Sequence, residues 1–133
     1  MKKIHEHIKS SERSGNIKFF IEARNEKYVI SRMPIQKGIL NPFGTIQAGA
    51  LIWLADVTAT VLVLENYGLG EKGKGFPLAV DLHTTLLGNQ REGEVKAEAR
   101  FVRKGRRVTV VRTSIKGNDR LLAEITSTHV PAG

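Results

Sequence analysis

Residues 45–66, TIQAGALIWLADVTATVLVLEN, decide the fold of this chain. The stretch has no glycine or proline after Gly49, and its apolar residues fall on every face of a helix rather than along one stripe. A helix that is apolar all round is buried. The pattern therefore predicts one long buried helix from Thr45 to about Asn66.

Alternation of apolar and polar residues with period two, on both sides of this helix, is typical of β-strands. We expect five or six strands in the order β–β–α–β–β–β. Because one face of such a sheet needs cover, we predict an α+β fold in which an antiparallel sheet wraps around one long central helix. The expected strands are residues 17–23, 27–32, 80–86, 95–102, 108–115 and 121–130.

The composition indicates one soluble globular domain. The 133 residues suffice for a single core, and 41% hydrophobic and 26% charged residues are ordinary globular values. The apolar run 48–64 contains Asp56 and is shorter than the roughly 20 residues of a membrane span. We expect a polar lead-in over residues 1–15 and a single domain over residues 16–133. The N-terminus lacks the apolar segment of a signal peptide, so we expect a cytoplasmic location.

The net charge of +8 is concentrated in the two ends of the chain. Residues 1–44 hold 9 basic and 4 acidic side chains, residues 45–90 hold 2 and 4, and residues 91–133 hold 10 and 5. The segment RKGRR at residues 103–107 lies in the densest basic stretch. Such charge attracts an anionic partner, which leaves nucleic acid, an anionic membrane or a phosphorylated small molecule as candidates.

Asp56 is the one charged residue within the apolar part of the predicted helix. A carboxylate in dry surroundings is costly unless it is paired or its pKa rises, and no basic residue lies three or four positions away. Carboxylates of this kind occur in active-site clefts. A helix face that reaches solvent, or a structural aspartate, would explain the same pattern.

The segment that enters the helix carries a family resemblance. NPFGTIQAGAL at residues 41–51 and LAD at residues 54–56 resemble the pattern N-x-x-G-T-x-H-G-G-A-x-x-x-L-A-D. That pattern is the signature of hotdog-fold acyl-CoA thioesterases, especially the phenylacetate-degradation thioesterase group. The chain departs from the family in two respects, since Gln47-Ala48 replaces the usual His-Gly pair and Ala79 stands where some relatives carry a polar residue.

The resemblance implies a hotdog fold and hydrolysis of the thioester of a small or medium acyl-CoA, or of an acyl-carrier substrate. It makes Asp56 the catalytic carboxylate, as general base or nucleophile. It assigns the backbone N–H of Ala48 to the oxyanion hole and Asn41 to the thioester carbonyl or a water molecule. No cofactor is expected, since coenzyme A is part of the substrate. The candidate catalytic residues are Asp56, Asn41, Ala48 and Gln47, and the candidate substrate-binding residues are Gly49, Thr45, Trp53, Arg103, Lys104, Gly105, Arg106 and Arg107.

The helix geometry predicts a dimer. Ala48 lies in the first helical turn, where N–H groups lack intrahelical partners, and Thr45 is a candidate N-cap. Asp56 is eight residues further on, roughly 12 Å along the axis at about 1.5 Å per residue. Groups that act on one carbonyl must converge to about 3 Å. We therefore expect Asp56 of one subunit to act with Asn41 and Ala48 of another, in a homodimer that the family also pairs into tetramers.

Two other functions compete with hydrolysis. The departures at residues 47, 48 and 79 also suit a non-catalytic acyl-CoA-binding protein. A basic nucleic-acid-binding module would interleave aromatic and basic residues, but from Arg100 to Arg120 only Phe101 is aromatic. The basic turn 103–107 suits either the phosphates of coenzyme A or a solvated hairpin tip.

Several other chemistries are disfavoured by the sequence. The chain has no cysteine, and its histidines have no clustered carboxylates beside them, so we expect no metal site. Ser114 and Ser127 have no neighbouring histidine and aspartate in the sequence pattern, which argues against a serine triad. The segment GLGEKG at residues 68–73 follows a helix and precedes a strand, the reverse of a dinucleotide-binding loop.

Overall fold

The structure, a computed structural model, describes residues 15–133, so the predicted lead-in lies outside the described residues except for Gly15. It contains six strands and one long helix, with single 3-10 turns at Lys37–Ile39 and Glu71–Gly73. The elements are β1 (Phe20–Arg24), β2 (Tyr28–Pro34), α1 (Ala48–Tyr67), β3 (Pro77–Leu86), β4 (Glu94–Lys104), β5 (Thr109–Gly117) and β6 (Arg120–Pro131).

All six strands form one antiparallel sheet in the order β1-β2-β4-β5-β6-β3. The helix α1 connects β2 to β3, which lies at the opposite edge of the sheet. The chain then crosses back, so that β4 pairs with β2. The strands β1 and β3 are the two edges. The predicted α+β architecture of an antiparallel sheet around one central helix is confirmed, with six strands.

The core lies between the inner face of the sheet and one side of α1. Alternate residues of the four central strands are buried, as the period-two pattern predicted, and small alanines on β4 let the helix approach closely. The inner strand positions are Val29, Ser31, Met33, Val95, Ala97, Ala99, Val111, Thr113, Ile115, Ala123, Ile125 and Ser127, and the helix adds Leu51, Leu54, Ala55, Thr58, Ala59 and Leu62.

The opposite side of α1 is only half-buried within one chain. Asp56, Val57, Thr60, Val61 and Leu64 are all partly exposed along this side. The prediction of burial on every face is therefore wrong for the single chain, because the sheet covers one side of the helix. An apolar helix face is left open next to the edge strand β3.

By length and composition α1 would be able to cross a membrane. Its buried side packs against the strands of the sheet, however, so α1 is the core helix of this fold.

Candidate functional site

The helix α1 begins at Ala48, three residues later than predicted, and Gln47 is its N-cap residue. Gln47 has extended backbone angles, φ −65° and ψ 138°, and its side chain makes no cap hydrogen bond. Its amide instead donates to the carbonyl of Leu40 at 3.0 Å. The prediction that Thr45 caps the helix is therefore wrong.

Two backbone donors are left available at the start of the helix. Within the described residues, no acceptor pairs with the N–H of Ala48 or Gly49, and both residues are exposed. The positive end of the helix dipole lies at the same place. Ala48 takes a helical conformation, so the alanine in place of glycine costs no strain. The site can therefore bind a negatively charged oxygen.

The side chain of Asn41 organises the loop before the helix. Its carbonyl oxygen accepts the N–H groups of Phe43 at 2.9 Å and Thr45 at 3.2 Å. Its amide nitrogen donates to the hydroxyl of Thr45 at 2.7 Å. One of its two amide hydrogens is left for a ligand. The Asn41 side chain therefore holds the loop and keeps a single donor for a carbonyl or water.

Asn89 supports this loop and was missed by the sequence analysis. Its side-chain amide makes two hydrogen bonds to the backbone of Ile46. It accepts the N–H at 2.8 Å and donates to the C=O at 3.1 Å. Ile46 is thereby held extended, bridged to Leu40, directly before the helix begins. Because Asn89 lies 43 residues further along the chain, no local pattern signals this contact.

Asp56 lies in a groove of about 370 Å³ between the open side of α1 and the start of β3. Within the described residues it has no hydrogen bond and no ion pair. Apolar side chains dominate the surroundings. The groove is lined by Phe19, Asp56, Val57, Thr60, Val61, Leu64, Phe76, Pro77, Leu78 and Ala79. Asp56 is therefore an accessible carboxylate at an apolar wall, the mixture of apolar lining and few polar groups that is typical of ligand pockets.

A single chain does not bring the predicted catalytic residues together. Ala48 and Asp56 belong to one straight element, so the rise of about 1.5 Å per residue keeps them roughly 12 Å apart along its axis. Asn41 and Gln47 lie beyond Ala48, further from Asp56 in sequence.

Trp53 and Gly49 have different surroundings at the same end of α1. The Trp53 ring packs edge-on against Phe19, with ring centroids 5.5 Å apart and planes at 86°. It lies against the core and does not line the groove of Asp56. A Cβ on Gly49 would meet no atom within 4 Å, so the surface there is open.

The basic turn 103–107 joins β4 to β5 near the C-terminal end of α1. A Cβ on Gly105 would overlap the carbonyl oxygen of Val108, so the turn needs glycine here. The hydroxyl of Tyr67 donates to the carbonyl of Gly105 at 3.2 Å, which ties the turn to the helix. Arg106 and Arg107 line a cavity at this end, whereas Arg103 lines only an outer groove.

Ser127 has a histidine neighbour after all, in contrast to the sequence-based expectation. Its hydroxyl lies 2.8 Å from Nε2 of His129, and both side chains are buried. Burial lowers the pKa of His129, and the negative charge of Asp56 opposes this shift. Ser127 lines neither the groove of Asp56 nor the cavity at the other helix end.

Several solved structures share this fold. The chain is similar to a thioesterase from Staphylococcus aureus, with a TM-score of 0.79 and 21% identity, over 86% of this chain and 93% of that one. A thioesterase from Haemophilus influenzae has a TM-score of 0.76 and 22% identity, over 86% and 78%. A phenylacetic acid degradation-related protein from Ralstonia eutropha has a TM-score of 0.76 and 24% identity, over 84% and 83%.

A further similar structure contains a ligand. It is a hypothetical thioesterase from Streptococcus pneumoniae solved with coenzyme A, with a TM-score of 0.77 and 18% identity, over 91% of this chain and 94% of that one. No family model and no curated protein matches the sequence. The fold is the hotdog fold of these thioesterases, which confirms the fold that the helix motif predicted.

Proposed function

We propose that this protein is an acyl-CoA thioesterase for small or medium acyl groups. The observation that carries the proposal is the unpaired carboxylate of Asp56 at the wall of an apolar groove, in a fold shared with thioesterases. In the reaction, water adds to the thioester carbonyl and the C–S bond breaks. The products are a carboxylate and the free thiol of coenzyme A.

Asp56 promotes the attack on the thioester carbonyl in one of two ways. As a general base it removes a proton from the attacking water. As a nucleophile it forms a mixed anhydride, expelling the thiolate, and water then hydrolyses the anhydride. Either path develops a negative charge on the carbonyl oxygen. The free N–H groups of Ala48 and Gly49 stabilise this charge, and the spare amide hydrogen of Asn41 orients the carbonyl or the water.

The complete site is formed by two copies of the chain, with Asp56 from one and Asn41 and Ala48 from the other. The edge strand β3 supports this dimer, because its outer backbone groups have no strand partner within residues 15–133. An exposed edge pairs readily with a second copy, and a two-fold axis makes the contact self-complementary. Exposed apolar side chains extend along the strand at Leu78, Val80, Leu82 and Leu86.

A substitution that introduces a charge on the edge strand β3 tests the proposed dimer. Val80 is 60% exposed, and Val80→Asp would place a carboxylate in the proposed strand pairing. We expect the variant to sediment as a monomer and to lose activity. Val102→Asp is the matched control, because Val102 is 51% exposed on β4, away from β3, and should leave the dimer intact. A wild-type monomer at micromolar concentration would contradict the shared site.

Hydrolysis of an acyl-CoA panel by the wild type and by Asp56→Asn tests the function. We expect the wild type to turn over at least one thioester and Asp56→Asn to lose at least about a hundredfold in kcat. Asp119→Asn, in the exposed β5–β6 turn, makes the same chemical change away from the groove and should retain activity. Activity that survives Asp56→Asn would exclude the role of Asp56.

The same panel separates the competing functions. Binding of coenzyme A without any turnover would favour a non-catalytic acyl-CoA-binding protein. Salt-sensitive binding of DNA or RNA would favour the nucleic-acid module. Phe101 argues against the latter, because it is half-buried against the core with the Lys104 ammonium 4.9 Å from its ring centroid. We place the protein in the cytoplasm, where coenzyme A thioesters occur.

A further inference from the structure

The peptide group that joins Ile46 to Gln47, directly before α1, is fixed at both of its polar ends. Its C=O accepts a hydrogen bond from the side chain of Asn89 at 3.1 Å. Its N–H donates to the carbonyl of Ile39 at 2.8 Å. Because a peptide group is planar, these two bonds fix the orientation of the whole unit. The chain therefore enters the helix in one defined orientation.

The next peptide group carries the N–H of Ala48. Its carbonyl, which belongs to Gln47, accepts the N–H of Ala50 at 3.0 Å in the first helical turn. Only the two backbone torsions of Gln47, φ −65° and ψ 138°, separate this peptide group from the fixed one before it. The direction of the Ala48 N–H therefore depends on the contact between Asn89 and Ile46.

Asn89 is itself held in place by the sheet and by its own loop. Its backbone carbonyl accepts a hydrogen bond from the Arg120 guanidinium, at the start of β6, at 2.7 Å. Its side-chain oxygen also accepts the N–H of Gln90 at 2.7 Å. Just before it, the N–H of Gly88 donates to the carbonyl of Leu122 on β6 at 3.1 Å. Contacts outside the helix entrance thus set the position of Asn89.

A second contact joins the loop 87–93 to the segment before the helix. The guanidinium of Arg91 donates to the carbonyl of Phe43 at 2.9 Å. A Cβ on Gly44 would lie 2.9 Å from the same guanidinium, so glycine allows this close approach. Arg91 is exposed, whereas Asn89 is half-buried. Asn89 therefore makes the better shielded of the two contacts.

We propose that Asn89 is a positioning residue of the thioesterase site, which aims the N–H of Ala48 at the carbonyl oxygen of the substrate. This inference rests on the proposed function, because it concerns the oxyanion donor of that reaction. A donor stabilises an oxyanion when it lies about 2.7–3.1 Å from the place where the charge develops. A misplacement of about 1 Å can cost roughly a hundredfold in rate. Asn89 acts through the backbone and does not itself contact the substrate.

Asn89→Ala tests this role by removing both hydrogen bonds to Ile46. We expect kcat to fall about tenfold to a hundredfold and KM to change less than about twofold, because the lost interaction is made in the transition state. Asn66→Ala is the matched control. The half-buried amide of Asn66 also makes two hydrogen bonds to backbone, to the carbonyls of Glu26 and Leu62 at 3.0 Å each, at the other end of α1. This variant should keep the wild-type kcat.

Asn89→Asp is a second variant that preserves the shape of the side chain. It keeps an acceptor for the N–H of Ile46, but it replaces the donor by an oxygen that repels the C=O of Ile46. We expect kcat to fall by about tenfold or more in this variant as well. A wild-type kcat in folded Asn89→Asp would overturn the proposal.

A double-mutant cycle with Ala48→Pro separates positioning from general support of the fold. Ala48→Pro removes the N–H that Asn89 is proposed to aim. In this background Asn89→Ala should therefore cost less than about twofold in kcat, instead of tenfold or more. An equal loss in both backgrounds would show that Asn89 does not act through Ala48.

The mobility of the Ala48 amide provides a readout that does not need turnover. We expect an NMR order parameter of about 0.85 in the wild type, as in rigid backbone, and a fall toward about 0.6 in Asn89→Ala. Asn66→Ala should leave the value unchanged. If no acyl-CoA is hydrolysed, the thioesterase function is wrong, while a lower order parameter still supports the placement of the Ala48 N–H by Asn89. If acyl-CoA is hydrolysed and neither kcat nor the order parameter responds to Asn89→Ala, the positioning role is wrong and the thioesterase function stands.

Discussion

The hydroxyl of Ser31 on β2 donates a hydrogen bond to the hydroxyl of Thr58 on α1. The direction follows because Thr58 donates its single hydroxyl hydrogen to the carbonyl of Leu54 at 2.6 Å. Both side chains are fully buried. The bond fixes α1 against the sheet at a point only two residues from Asp56, so it positions the candidate carboxylate.

This pair predicts a non-additive effect on stability. Thr58→Val leaves the buried Ser31 hydroxyl without an acceptor, which should lower the free energy of unfolding by about 1–3 kcal/mol. In Ser31→Ala/Thr58→Val both polar groups are gone, so part of this loss should be recovered. Urea unfolding of the wild type, both single variants and the double variant measures the coupling. Strictly additive losses would show that the two hydroxyls do not depend on each other.

The backbone N–H of Ala48 can be deleted without removing the helix. Proline is tolerated at the first helical position, where the N–H has no intrahelical partner. Gln47 has the extended backbone that a residue before proline requires. We expect Ala48→Pro to fold normally and to lose about 10²–10³ in kcat, the usual cost of removing one oxyanion donor.

Ala48→Ser is the control for this prediction, because it alters the side chain and keeps the N–H. It should retain most of the activity, while circular dichroism should show equal helix content in both variants. Full activity of Ala48→Pro would show that Ala48 does not donate to the oxyanion.

The fold could be predicted from the sequence because its determinants are local. The all-apolar helix with one carboxylate and the alternation of residues 95–102 each reflect a repeating environment along one element. The start of the helix was placed wrongly because Ile46 is held extended by the distant Asn89. The cavity that Arg106 and Arg107 line was missed for a similar reason, since its walls come from several parts of the chain.

The shared site predicts that two inactive variants restore each other. In a mixture of Asp56→Asn and Ala48→Pro subunits, each heterodimer has one site with both substitutions and one site with neither. Equal amounts, unfolded and refolded together, should recover about a quarter of the wild-type activity, because half of the dimers are mixed and half of their sites are intact. Each variant refolded alone is the control. No recovery in a confirmed heterodimer would mean that Asp56 and Ala48 of one chain serve the same site.

His129 predicts a loss of stability in mild acid. Burial lowers its pKa from the ordinary value of 6.5, so below that value the unfolded chain takes up a proton that the folded chain resists. The contribution of His129 to stability is therefore complete above pH 6.5 and is lost as the pH falls toward the pKa of the folded state. His129→Gln removes the titrating group and should flatten the unfolding free energy over this range, while keeping a polar partner for Ser127. Equal slopes in the wild type and His129→Gln would contradict the assignment.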